Sequence, residues 1–529
     1  MFEHVIYVKG EKFNMIKANK KPIIFLIIAI LLVCFTIFSV YSCGNSSNTN
    51  EPNNIGGSDN NSVNPADGRQ TENSGEPAVQ SVTAAEYNYP DMDGGGADFR
   101  IFAPTTTYGF YTNIASHSEQ TGDVLDDSIY VRNRFLESKF NINIKEINAD
   151  IAEMNSKIRK SVMTGEDQYD ASFCPVNFGS NIGKPITEGI FLNMRSIPTI
   201  NLDEKWWNQT ILKEGSFGSG NKIFYAGCDI DIMTLQSVLC IFFNQDMMTK
   251  LGLDLPYNAV REGKWTLDLL NQYMKSGANL NGDADWGFKL SGSSTYGLAS
   301  YDNAAVALLG GSGEQFVVKD ENGMPRLGIE SERFINVVNK IKDMLTVKGN
   351  YLYANGAPAS GNHFEPIFKS GRALMTIGEL KIADIMRDME ATFGILPNPK
   401  YDETQKDYYT HLIVATPLLV IPATNTKPNF TGAVLDAMAY LSAKDVTPVF
   451  FDITVSQKQL RNEDSIDMLQ IIKSSGSFDV GSAYGWTSIF YDSLRSSLGQ
   501  GISFNVVSAI DKNRDKMNSN IANTMEFFK

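Results

Sequence analysis

Phe334, Val337, Val338, Ile341 and Leu345 fall at i, i+3, i+4, i+7 and i+11, one face of a 3.6-residue helix. Leu125, Ile129, Leu136 and Phe140 make a second such stripe, and Val434, Met438 and Leu441 a third. Between them lie short apolar runs with strand character: DFRIFAP from Asp98, predicted to end at Pro104, and INIKEI over 142 to 147. DIAEMNSKIRKSVMTG reads as a helix closed by Gly165. Strands alternating with helices predict α/β units around mostly parallel sheets. No repeat of fixed period runs through the chain.

The longest apolar run has another meaning. Pro22 to Val40 is long enough to cross a bilayer, which takes about 20 residues. Lys12, Lys17, Lys20 and Lys21 precede it, and Ser42 and Cys43 follow. A basic flank, an apolar run and a small residue before a cysteine form the layout of a secretory signal. Val40-Tyr41-Ser42-Cys43 resembles the lipobox of bacterial lipoproteins, which implies a diacylglyceryl group on Cys43 as the first residue of the mature chain. Met15 would leave a compact basic leader, MIKANKK, and is an alternative start to Met1. The competing reading is an uncleaved single-pass anchor, since the run exceeds the usual signal core. Residues 44 to 80 hold no aromatic side chain and are rich in Asn, Ser, Gly, Pro and Glu. Such a stretch buries too little apolar surface to offset its ordering entropy and reads as a flexible tether. The expected layout is thus 1–42 signal, 43–96 tether, then the folded body.

Composition narrows the function. The chain carries 46 basic and 60 acidic side chains, a net charge of −14, which argues against nucleic acid as a partner. Cys174, Cys228 and Cys240 are too few for a disulfide framework. His117, His363 and His411 stand in no metal or triad pattern. Asn279, Asn281, Asp283 and Asp285 imitate the start of a calcium loop, but Ala284 and Leu290 stand where glycine and glutamate belong, so the stretch reads as a turn. No cofactor, metal site or catalytic residue is expected.

Four strings carry a resemblance: KWWNQTILKEGSFGSGNKIFYAGCD, LCIFFNQDMMTKLGLDLPYNAVREGKWTLDLL, FKSGRALMTIGELKIADI and FGILPNPKYDETQKDYYT, in this order up to Thr410. They are similar to successive blocks of the carbohydrate-type extracellular solute-binding proteins of ABC importers. The resemblance implies a two-lobe, periplasmic-binding-protein-like α/β fold with a hinge and a ligand cleft between the lobes. One lobe would take 97–232 plus 410–455, the other 233–409 plus 456–529. It also implies a carbohydrate ligand, permease subunits as partners, a monomer, and a place on the extracytoplasmic face of the cell membrane, held by acylated Cys43. By the maltodextrin-binding pattern, the ligand residues would be Asn177, Phe178, Asp229, Asp231, Gln236, Glu379, Lys381, Tyr484 and Trp486. Lys381 stands where that pattern has a stacking tryptophan. Trp206 and Trp207 read instead as a surface or core feature. An extracellular glycosidase, and a sensor or peptide receptor on the same fold, are the rival readings.

Overall fold

The computed structural model describes residues 87–218, 220–455 and 463–529, together with two short strands near the start. The chain divides into two units, Met1–Thr83 and Ala84–Lys529. In the first, Tyr7–Val8 and Glu11–Lys12 pair antiparallel. Cys43, the apolar run and the tether up to residue 86 lie outside the described residues. Among the described residues no helix is long and apolar enough to cross a membrane.

The second unit is built on two sheets. The first contains β1 (Ala97–Thr105), β2 (Ile142–Asp150) and β3 (Ala171–Pro175). The second contains β4 (Leu239–Asn244), β5 (Tyr296–Ser300), β6 (Tyr351–Tyr353), β7 (Ala373–Glu379) and β8 (Phe393–Leu396), in the order β6-β5-β7-β4-β8. The chain then runs through β9 (Thr410–His411) and returns to the first sheet as β10 (Pro417–Val420), giving the order β10-β3-β1-β2. β1 and β2 are parallel over nine residue pairs, from Ala97 beside Ile142 to Thr105 beside Asp150. β4 and β7 run antiparallel, β5 and β7 parallel. Every residue of β3, β4, β5 and β7 is buried, the continuous apolar signature of strands covered on both faces.

Helices form where the stripes predict them. Asp123 accepts from the N–H groups of Leu125 and Asp126 to start α1 (Val124–Phe140), and Asn141, in the left-handed region, closes it. α2 (Met154–Met163) ends before Gly165. Thr266 caps α3 (Leu267–Gly277), and α4 (Ala304–Gly311) is buried along its whole length. Ser331 accepts from Phe334 N–H to start α5 (Glu332–Leu345), which buries the stripe noted above. α6 (Pro428–Leu441) starts on a proline, which loses no helical hydrogen bond there. α7 (Ser488–Gly499) and α8 (Val506–Phe528) follow.

Order begins earlier than the sequence predicts. Tyr87 and Tyr89, read as part of the tether, are docked. Tyr87 stacks on Tyr440 with ring centroids 4.8 Å apart and donates to Asp436 Oδ2 at 3.0 Å. Asp436 Oδ1 accepts from Trp206 Nε1, Trp207 Nε1 and Asn201 N–H. One buried carboxylate thus gathers four donors, and this is where both tandem tryptophans go.

The C-terminal segment also departs from its expected place in one lobe. α7 packs on α4 and α5 beside the second sheet. The short helix Val480–Tyr484, however, packs against residues 177–187, and Phe528 packs on Phe217 and Phe224, which flank the first sheet. The three cysteines are buried and unpaired.

β9 lies in the passage between the sheets and pairs in parallel with Gly476–Ser477. His411 in it is buried, its Nε2 has no hydrogen-bond partner, and burial pushes it down to about 4 from the ordinary 6.5. The fold holds this histidine neutral, so the unfolded chain takes up the proton first on acidification. Its stabilising contribution is present above pH 6.5 and is lost as pH falls towards 4. In urea unfolding at a series of pH values, His411→Gln should show a shallower dependence over that window, by up to about one proton. An unchanged slope would show that His411 is already charged in the fold.

Candidate functional site

The carboxyl ends of β3, β5, β6 and β7 converge on a cleft of about 580 Å³. This is where ligands sit on open α/β sheets. Each strand delivers side chains as it ends. β3 is followed by Asn177, Phe178 and Gly179; β5 by Tyr301, Asp302 and Asn303; β6 by Asn355; β7 by Glu379 and Lys381. Tyr108 and Phe110, from the loop after β1, stand opposite Lys381, and His363, Phe364 and Glu365, with Asp492 and Arg495 of α7, also line the cleft.

Local packing fixes these positions. Gly378 has no room for a side chain, because a Cβ there would lie 1.9 Å from Ile382 Cδ1. Ile382 can therefore pack tightly against the end of β7. Glu379 ends the strand facing the cleft, and the turn that follows, with Lys381 at φ −51° and ψ −25°, brings Lys381 to the cleft as well, while Leu380, between them, lines a separate cavity with Val238 and Leu412. Gly179 has φ +75°, and a Cβ there would meet the Ala152 carbonyl oxygen at 2.2 Å. Only glycine turns the chain tightly enough to set Asn177 and Phe178 on the wall.

The walls pair flat apolar rings with hydrogen-bonding groups. Tyr301 stacks on Phe364 with centroids 5.0 Å apart and planes 12° from parallel. Its hydroxyl donates to Glu379 and accepts from Asn303 Nδ2. Tyr108, 59% exposed, meets Phe178 edge to face at 5.9 Å. Asn177 Nδ2 donates to Ser488 Oγ at 3.3 Å. Lys381 reaches across the cleft: its ammonium donates to the Tyr108 carbonyl and stands 4.1 Å from the Phe110 ring centroid. Burial, and secondarily Lys381, holds His363 below the ordinary histidine value, so it is neutral at pH 7. Burial raises Glu365 above the usual carboxylate range.

The structure brings Asn177, Phe178, Glu379 and Lys381 together at the cleft and sets the other predicted residues elsewhere. Trp486, 1% exposed, stacks on Tyr484 at 4.8 Å and donates to Thr524 Oγ1 at 2.8 Å. Both rings belong to an aromatic cluster with Phe217 and Phe528, so the two are corrected from ligand contacts to core. Asp229 accepts from Thr447 Oγ1 and lines the cavity behind the passage between the sheets. Asp231 is buried, accepts from Met233 N–H, and is pushed up to about 7 by burial. Gln236 is buried and accepts from Tyr111 N–H at 2.6 Å. It steadies the loop that carries Tyr108 and Phe110 without lining the cleft.

Tyr301, Asp302, Asn303, Asn355, Phe364, Glu365, Asp492 and Arg495 are cleft residues that sequence reasoning missed. A usable signal existed for the first three, since YGLAS is an apolar strand and YDN stands at its carboxyl end, as GE does in MTIGE. Asp283 and Asp285 are engaged with Ser293, Ser294 and Gly287 N–H groups. Among the described residues no group of side chains is arranged to hold a metal ion.

No protein-family model matches the chain, and no curated protein is significantly similar to it in sequence. Solved structures do share its fold. The cyclic α-maltosyl-1,6-maltose binding protein from Arthrobacter globiformis aligns with a TM-score of 0.55 at 12% identity, over 81% of this chain and 100% of its own. An ABC substrate-binding protein from Listeria monocytogenes in complex with cycloalternan aligns at 0.51 and 13%, over 81% and 99%. UgpB from Mycobacterium tuberculosis in complex with glycerophosphocholine aligns at 0.51 and 13%, over 82% and 99%. The chain has the two-lobe α/β fold of these binding proteins.

Trp486→Ala empties a fully buried site and should cost about 3–5 kcal/mol of stability in urea unfolding. Affinity for any cleft ligand, measured by titration calorimetry on the folded variant, should stay within about twofold, since the indole lies outside the cleft. A large loss of affinity at unchanged stability would return Trp486 to the site.

Proposed function

We propose that this protein is a receptor that captures a sugar or oligosaccharide outside the cytoplasmic membrane and hands it to an ABC import permease. The observation that carries the reading is the cleft. Rings of Tyr108, Phe110, Phe178 and Tyr301 offer flat faces for pyranose C–H surfaces, and Asn177, Asn303, Asn355 and Glu379 offer paired donors and acceptors for hydroxyls. The solved structures of this fold named for maltosyl-maltose and for cycloalternan support a saccharide. Capture would proceed by hinge closure between the lobe on the first sheet and the lobe on the second, with ligand favouring the closed state by its differential affinity. The reading is of a binding protein that leaves its ligand chemically unchanged.

A lipid on Cys43 completes the proposal. A receptor outside the cell is useful to its permease only if it is retained nearby, and two acyl chains hold a protein to a bilayer where one does not. The receptor would then act as a monomer on the extracytoplasmic face of the membrane.

A saccharide panel in a thermal melt should give a saturable rise in Tm, equivalent to about 2.7 kcal/mol at a hundred times Kd, with the sugar recovered intact. Tyr301→Ala should abolish the rise. Cleaved product would replace the receptor reading by a glycosidase, and a response to glycerophosphocholine alone would replace saccharide by phosphodiester. Mass spectrometry of the membrane-extracted protein should find a diacylated mature chain beginning at Cys43. A chain beginning at Met1 or Met15 would mean an uncleaved anchor.

A further inference from the structure

The charges in the cleft do not balance. Asp302, Glu365, Glu379 and Asp492 face Lys381 and Arg495. Both cations are already committed: Arg495 Nη1 lies 3.5 Å from Asp302 Oδ2 and 3.4 Å from Asn303 Oδ1, and Lys381 is given to the Tyr108 carbonyl and the Phe110 ring on the facing wall. Among the described residues Glu379 accepts from the Tyr301 hydroxyl alone, which burial keeps neutral. The basic group in contact with Glu365 is His363, at 3.6 Å and neutral, and the Lys381 charge offsets the burial of Glu365 only in part. Among the described residues no basic side chain pairs with Glu379 or Asp492, and Asp302 Oδ1 is buried without a donor.

An uncharged ligand that fills this cleft strips water from carboxylates and returns only neutral donors, whereas an ammonium returns charge. The cleft already shows how it holds an ammonium, because Lys381 is seated there on a carbonyl oxygen and an aromatic face. Stacked Tyr301 and Phe364, with Glu365 and Glu379 in the same cleft, offer an aromatic and acidic setting to a ligand cation.

We propose that the ligand class is a saccharide bearing a basic nitrogen, an amino sugar with a free ammonium, in preference to its N-acylated, uncharged or anionic counterparts. This rests on the saccharide-receptor reading and sharpens it.

The test is calorimetric titration of the full chain at pH 6 with glucosamine oligomers of two to four units, N-acetylglucosamine oligomers and maltooligosaccharides of equal length, and oligogalacturonate. The glucosamine oligomers should bind at least about tenfold tighter than their acetylated forms, a difference of about 1.4 kcal/mol, with no measurable binding of oligogalacturonate. Glu365→Gln and, separately, Asp492→Asn should each reduce the amine-to-acetyl preference. Neither change alters side-chain volume, and circular dichroism verifies the fold. Binding of a neutral or acetylated saccharide as tight as that of the amine overturns the proposal and leaves the receptor standing. A panel in which no saccharide binds overturns both.

Discussion

The structure depends on how the backbone passes between two sheets without leaving polar groups unpaired. Three stretches make the passage: the residues before β4, those between β9 and β10, and those around Gly476. They pair with one another and with the strands beside them: Ile413 N–H donates to Ser237, Thr410 N–H of β9 to Ser475, and Leu380 N–H at the end of β7 to Val238. Buried peptide groups need such partners, so the passage forms a small shared ladder and not three loose linkers. The ends of β7 and β3 are held on either side of it, which is why Glu379 and Lys381 stand across from Asn177 and Phe178.

Much of this was legible in the sequence because it was written locally. A stripe at i, i+3, i+4 and i+7 reports its own helix, and Ser331 or Thr266 before it reports its own cap. The end of MTIGELK could be placed at the cleft because an apolar strand reports its own carboxyl end, and ligands sit beyond such ends on open α/β sheets. Trp486 was misplaced because most of what buries it is remote: Phe217 and Thr524 come from two other parts of the chain, and no local pattern distinguishes a tryptophan they cover from one that meets a ligand. Asp229 failed similarly, as its partner Thr447 lies 218 residues on, whereas Asp231 is turned inward by its bond from the neighbouring Met233 N–H. Tyr87 and Tyr89 were lost in a polar stretch because Asp436 and Tyr440, which dock them, lie some 350 residues downstream, a separation that periodicity does not report.

Two buried carboxylates show opposite solutions to one electrostatic problem. Asp436 is removed from water but accepts from two indoles, a phenol and a peptide N–H, so its charge is well solvated by the protein. Asp231 accepts from a single N–H on one oxygen while the other has no donor, and burial pushes it up to about 7. The cleft carboxylates resemble the second case more than the first. A protein that can supply donors so fully at one site has left them out at another that is open to ligand.

The docking of Phe528 on Phe217 and Phe224 has a consequence in time. A ribosome makes Phe224 roughly three hundred residues before Phe528, and β10 arrives about 250 residues after β3, so the first sheet and its aromatic flank cannot close on the nascent chain as it emerges. Completing this flank waits for α8. A first sheet left incomplete over that interval keeps its apolar faces uncovered for longer than locally closed elements do.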